Sequence, residues 1–158
     1  MRVGALGWTV VVLLVVLHFV LHVALSLQEA APDLLTVALL IGARDLRVGW
    51  AAGLGFLFGL LEDALSVLAF GANMLTMTLL GALGATTREL FVGDSRLFVV
   101  SYFLAGKWLR DLLHWLFLDE ALRGGFLDQV VIRGFPAALY VAVVGLAIAL
   151  LSGRSSEA

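Results

Sequence analysis

The sequence contains no cysteine among its 158 residues, and only 14% of the residues are charged. The absence of cysteine excludes a disulfide-rich secreted module. The formal net charge of −2, from ten Lys and Arg against twelve Asp and Glu, gives no basic surface for nucleic acid. What the sequence does contain is 62% hydrophobic residues, with a mean hydropathy of +1.07. A cytosolic domain could not cover its surface with so few polar groups, so the composition predicts a small integral membrane protein.

Apolar runs separated by short polar breaks predict an all-α bundle of about six transmembrane helices in one domain, residues 1–158. A crossing needs about 20 apolar residues. The predicted spans are about 3–27, 33–44, 48–66, 72–88, 97–118 and 134–151. The first is interpreted as a retained span, because its apolar run is longer than a signal-peptide core. The second is short for a bilayer of about 30 Å, so whether it crosses fully stays open. Residues 119–133 are predicted to form a loop along the membrane interface.

Basic residues are distributed unequally between the two ends of the predicted bundle. With six crossings, the same side as the N-terminus collects six arginines: Arg2, Arg44, Arg47, Arg88, Arg96 and Arg154. The opposite side has only Arg123 and Arg133. Because cytoplasmic loops are enriched in Lys and Arg, this asymmetry predicts that both termini are cytoplasmic.

Small residues recur at every fourth position of the third predicted span. Ala51, Gly55, Gly59 and Asp63 therefore share one face of a helix. Small side chains at this spacing let two membrane helices approach closely. Asp63 differs from the others, because a carboxylate near a membrane needs a partner or water.

The fifth predicted span carries four charged or titratable residues on one helical stripe: Lys107, Arg110, Asp111 and His114. Facing lipid, such charges would each cost at least a few kcal/mol, so they are expected to point into the protein. Lys107 and Asp111 can pair within the helix. Arg110 needs another anion, and either Asp63 or Glu62 lies at a similar depth. The pattern predicts a buried ion cluster that joins the third and fifth spans. Its role is open between fixing helix register, forming a binding pocket and relaying protons.

The first predicted span carries two histidines, and the sequence contains none of the common enzyme motifs. His18 and His22 have a spacing that metal ligands use, but no cysteine or carboxylate-rich motif accompanies them. They are interpreted as polar residues turned into the bundle or toward its outer interface. The sequence has no Gly-x-Ser-x-Gly, His-Glu-x-x-His or phosphate-loop motif. We therefore expect no enzyme activity, no metal and no cofactor.

One stretch of the sequence resembles a known family. It reads Gly55-Phe-Leu-Phe-Gly59-Leu-Leu-Glu-Asp63, followed eight residues later by Gly71-Ala72-Asn73. Together with Pro32 before a short apolar span and a basic break at 44–47, it resembles MreD, the rod-shape-determining membrane proteins of bacteria. The segment between Asp63 and Gly71 lacks the glycine usual in that family.

The resemblance implies a non-catalytic subunit of the cell-elongation machinery in the bacterial cytoplasmic membrane. Such proteins bind MreC, a single-span periplasmic scaffold, and work beside MreB, RodA and its penicillin-binding transpeptidase, surrounded by membrane lipids. The residues expected to serve structure or partner binding are Pro32, Gly55, Gly59, Glu62, Asp63, Gly71 and Asn73. Glu62, Asp63 and the 119–133 segment are the expected contacts with the periplasmic partner.

The family's fold also resembles the substrate-binding subunit of energy-coupling-factor vitamin transporters. This likeness gives the alternative function, a small-molecule-binding membrane subunit of such a transporter. It predicts a sealed cavity lined by Arg110, His114, Asn73 and His22.

Overall fold

A computed structural model describes residues 5–24, 33–66, 70–90 and 96–154. Within these ranges the regular secondary structure is entirely helical, which confirms the predicted helical bundle. The α-helices are α1 (Ala5–Phe19), α2 (Leu34–Ala43), α3 (Val48–Leu65), α4 (Ala72–Leu90), α5 (Arg96–Phe117) and α6 (Gly134–Arg154). Two π-helical segments adjoin them: Val20–Ala24 continues α1, and Leu127–Arg133 leads into α6.

Two of the described helical segments combine the length and hydropathy of a membrane span, Val48–Leu65 and Leu127–Leu150. Gly7–His22 and Leu34–Ala43 are apolar but shorter. Length and composition alone therefore support crossing by α3 and by the π-helix and α6 together.

The short apolar helix α2 lies at the centre of the bundle. Nine of its ten residues are buried, and it contacts all five of the other α-helices. A helix that is apolar on every side is stable when other helices surround it. Burial inside the protein therefore explains how an apolar helix of only ten residues is stable. Asp33 caps the helix, since its carboxylate accepts hydrogen bonds from the Thr36 amide at 3.0 Å and the Thr36 hydroxyl at 2.7 Å.

Helices α3 and α4 form the most extensive helix pair, and glycines make their close approach possible. A Cβ atom on Gly55 would lie 2.6 Å from the Met77 carbonyl carbon, and one on Gly59 would lie 2.5 Å from the Met74 Cα. From the other side, Gly81 packs against the backbone of Ala51. Because any larger residue would meet backbone atoms, the two helices can pack this closely only with glycine at these positions.

The prediction of a loop over residues 119–133 is wrong for its second half. Leu127–Arg133 is a π-helix that runs directly into α6. Its Val130 is fully buried, and the Val130 carbonyl accepts a hydrogen bond of 3.1 Å from the Trp108 indole. Wider π-helical hydrogen bonding shifts the apolar spacing away from the α-helical period, which is why the sequence pattern did not reveal this helix.

Candidate functional site

The carboxylate of Asp63 caps the N-terminus of α4. Asp63 is 1% exposed and accepts hydrogen bonds from the backbone amides of Gly71 at 2.8 Å, Met74 at 3.0 Å and Asn73 at 3.2 Å. A helix N-terminus presents free N–H groups and a positive dipole end, both of which favour an anion. Gly71 has φ of +100°, a conformation that favours glycine. Residues 63, 71 and 73 of the family-like motif thus build one turn between α3 and α4.

Arg110 of α5 is held by carboxylates from two other parts of the chain. Its Nη2 donates to both oxygens of Glu62, at 2.6 and 2.8 Å, and its Nη1 donates to Asp33. Of the two anions that the sequence offered to Arg110, Glu62 makes the pair. The alternative pairing with Asp63 is not formed, because the Asp63 carboxylate is taken by the α4 amides.

Lys107 adds a second cation next to Arg110. Lys107 is 6% exposed; its ammonium group pairs with Asp111 one helical turn away and lies 3.4 Å from Asp33. Asp33 therefore pairs with both cations, a role that the pattern of the sequence did not predict. The charge balance of the fifth span already indicated that Arg110 needs a further anion, but similar depth pointed only to Asp63 and Glu62 and not to Asp33 at the start of the second span.

The two histidines of the first span lie next to the same charges. His18 is 3% exposed, and its Nε2 lies 3.6 Å from Glu62. Its ring stacks on that of His22 at 4.0 Å, and His22 Nδ1 donates to the His18 carbonyl oxygen at 3.0 Å. His18 is therefore turned into the bundle, which is one of the two positions that the sequence left open. His114 forms none of the ion pairs of this group, and its buried Nδ1 has no hydrogen-bond partner among the described residues.

We refer to Asp33, Glu62, Lys107, Arg110 and Asp111 as the ion cluster. It joins the N-terminus of α2, the end of α3 and the middle of α5. Removing one member of a buried ion pair leaves an uncompensated charge and typically costs about 3–5 kcal/mol. The cluster therefore fixes how these three helices are arranged. No group of three or more His, Asp or Glu side chains in the described ranges is placed to hold a metal ion.

Other predicted site residues have different positions. Pro32 lies outside the described residues. The described bundle contains a cavity of about 460 Å³ whose lining is mostly apolar. Arg110, His114, Asn73 and His22, the four residues predicted to line a ligand cavity, do not line this one.

The fold and the site together define a class of protein, an apolar all-helical bundle whose few buried charges pair with one another between helices. The family model for the rod shape-determining protein MreD matches residues 3–106, and the chain belongs to this family. It is therefore a membrane protein of the machinery that determines rod shape. The match ends at Gly106, so all four residues of the charged stripe of α5 lie beyond it. No curated protein and no solved structure matches the chain.

Proposed function

We propose that this chain is a non-catalytic scaffold subunit of the cell-elongation complex, which binds MreC and supports lateral peptidoglycan synthesis. RodA, its penicillin-binding transpeptidase and MreB are the proposed further members of the complex. The observation that supports the proposal is that the buried charged groups bind one another or backbone amides. Arg110 is occupied by Glu62 and Asp33, and Asp63 is occupied by backbone amides. These groups hold helices in place, which is what a scaffold requires of them.

The contact with MreC is assigned to the segment 119–133. Several of its apolar side chains are exposed, among them Leu122, Phe126, Leu127 and Ile132. The Trp115 indole donates to the Gly124 carbonyl at 2.9 Å, and the Arg123 guanidinium lies 4.7 Å from the Trp115 ring centroid. The segment is thus tied to α5 while apolar side chains face outward, as a protein contact requires.

Glu62 and Asp63 have an indirect part in this proposal. Glu62 is bound by Arg110, and Asp63 is 1% exposed. Neither carboxylate is presented to a partner, so the two residues act by fixing the ends of α3 and α4.

The arginine distribution supports a multi-pass topology with both termini in the cytoplasm. In that orientation the segment 119–133 lies at the periplasmic end of the bundle, where its second half begins the candidate span Leu127–Leu150. This is the side where MreC has its main part. A periplasmic contact and the charge asymmetry therefore point to the same arrangement.

Co-purification with MreC at native expression levels tests the proposal. We expect wild-type protein to retain MreC and Leu127→Glu to retain about tenfold less, because a charge in an apolar contact costs more than 1 kcal/mol. The control is Val48→Glu, which places the same charge at an exposed apolar position. Val48 lies at the N-terminal end of α3, the end opposite Glu62 and Asp63. Retention of no MreC by the wild-type protein would contradict the scaffold proposal, and equal losses in both variants would contradict the assigned surface.

A further inference from the structure

The cavity of about 460 Å³ is an open groove between α2, α4 and α5. Glycines let the walls of the groove pack closely, because a Cβ on Gly106 would lie 2.6 Å from Leu40 and one on Gly84 would lie 3.0 Å from the Tyr102 hydroxyl. Tyr102 contributes no free polar group, since its hydroxyl donates to the carbonyls of Leu40 at 3.0 Å and Gly84 at 3.3 Å. On α5, the small exposed side chain of Ala105 forms part of the edge of the groove. The groove is therefore a mostly apolar channel in which the hydroxyls of Tyr102 and Thr87 are bound to backbone carbonyls.

The dimensions of the groove fit one hydrocarbon chain. It follows α5 from Leu97 to Leu109, about 18 Å at 1.5 Å per residue, which is close to half of a hydrocarbon core of about 30 Å. A transmembrane helix about 10 Å wide would occupy roughly 1,400 Å³ over the same length, about three times the groove volume. The groove can thus enclose an acyl chain from one leaflet, whereas it could take only single side chains of a helix.

Positive charge lies at one end of this groove. The Arg44 guanidinium is 5.7 Å from the ring centroid of Phe98 and 5.8 Å from that of Tyr102, and both rings line the groove. Arg47, three residues further on, is exposed and occupies the N-cap position of α3, where its side chain forms no capping hydrogen bond. Basic side chains at a membrane surface attract anionic headgroups.

We propose that the groove binds one anionic phospholipid, with an acyl chain along α5 and the phosphate at Arg44 and Arg47. The acyl chain packs in the apolar channel, and the two arginines select the charge of the headgroup. This site is independent of the MreC contact, which lies at the opposite end of α5.

Native mass spectrometry of the delipidated full-length protein, titrated with phosphatidylglycerol or with phosphatidylcholine of the same acyl chains, tests the proposal. We expect one phosphatidylglycerol to bind at least fivefold more tightly than phosphatidylcholine. Arg47→Gln should weaken phosphatidylglycerol about fivefold and leave phosphatidylcholine unchanged, the loss that corresponds to one arginine at a lipid surface. Arg44→Gln should also weaken phosphatidylglycerol binding. If losing the contacts of Arg44 with the Phe98 and Tyr102 rings unfolds that variant, the Arg47 variant still tests the headgroup assignment.

The groove itself is tested by Ala105→Phe, which fills it from the exposed rim and should abolish the single retained lipid. Val143→Phe, at a position of α6 that is 66% exposed, is the control and should bind lipid as the wild type does. Equal affinity for the two lipids in the wild type would overturn the headgroup assignment. Unchanged lipid binding by Ala105→Phe together with loss of a protein partner would show that the groove is a protein contact.

Discussion

The guanidinium of Arg110 and the carboxylate of Glu62 are joined by two hydrogen bonds, of 2.6 and 2.8 Å, that share one nitrogen. The other terminal nitrogen of Arg110 donates to Asp33, so one side chain of α5 holds both α2 and α3. An arginine is suited to this position, because its planar group presents several donors in a fixed geometry that a lysine ammonium lacks.

Replacing Arg110 tests the energetic weight of this arrangement. Arg110→Gln leaves Glu62 and Asp33 buried without their main cation, and we expect a loss of about 3–5 kcal/mol in the free energy of unfolding. Arg110→Lys should recover part of that loss. Thermal unfolding of the detergent-solubilised protein measures both effects.

The control for this prediction is an exposed pair in the same chain. Arg133 lies 3.0 Å from Asp128, with 65% and 54% of the side chains exposed. Exposed pairs contribute about 1 kcal/mol or less, so Arg133→Gln should shift the unfolding temperature only slightly. Equal shifts for the two arginine variants would show that the ion cluster contributes no more than a surface pair.

Asp63 should be sensitive to loss of its acceptor oxygens. Asp63→Ala removes the cap of α4 and leaves three amides without their acceptor, so we expect a cost above the usual 0.5–2 kcal/mol of a lost helix cap. Asp63→Asn keeps one acceptor oxygen and should cost less. Unfolding temperatures of the two variants give the order, and Ala64→Ser, at the exposed neighbouring position, is the control. Equal stability of the alanine and asparagine variants would contradict the capping role.

Two glycines two residues apart on α3 are predicted to respond in opposite directions to the same substitution. Gly55→Ala places a methyl group against the Met77 backbone, which must move, so it should separate α3 from α4 and lower stability by 1–3 kcal/mol, about the cost of overpacking. Gly53→Ala meets nothing within 4 Å and should be neutral or stabilise the helix by up to about 1 kcal/mol. Comparison of the two unfolding temperatures checks this. Similar destabilisation by both would show that close packing is not the reason for glycine at position 55.

The proposed topology can be tested cleanly because the sequence contains no cysteine. We expect Glu120→Cys to react with a membrane-impermeant maleimide in intact spheroplasts and Asp45→Cys to react only after lysis, since the arginine excess places residue 45 on the cytoplasmic side. Each variant replaces a carboxylate in a segment between helices. The reverse pattern of labelling would overturn the orientation, and labelling of both in intact spheroplasts would overturn the crossing of the segments between them.

Spacing alone predicted which residues share a face, since the α-helical period fixes that geometry before any tertiary contact forms. It placed Gly55, Gly59 and Asp63 together, and the structure packs this face on α4. Spacing could not identify the partner of each group. Asp63 had two possible roles, and its role as a cap depends on where the chain turns at Gly71.

The sequence by itself determined that this is an apolar, helical membrane protein, because hydropathy and helical period are properties of the chain that need no contacts. It also determined that the charges of α5 must point inward, since lipid cannot solvate them. Only the tertiary structure decided that Asp33 shares Arg110 with Glu62, that α2 is enclosed by the other helices, and that His18 approaches Glu62. These pairings join residues up to 77 positions apart, and their distances are set by how whole helices pack.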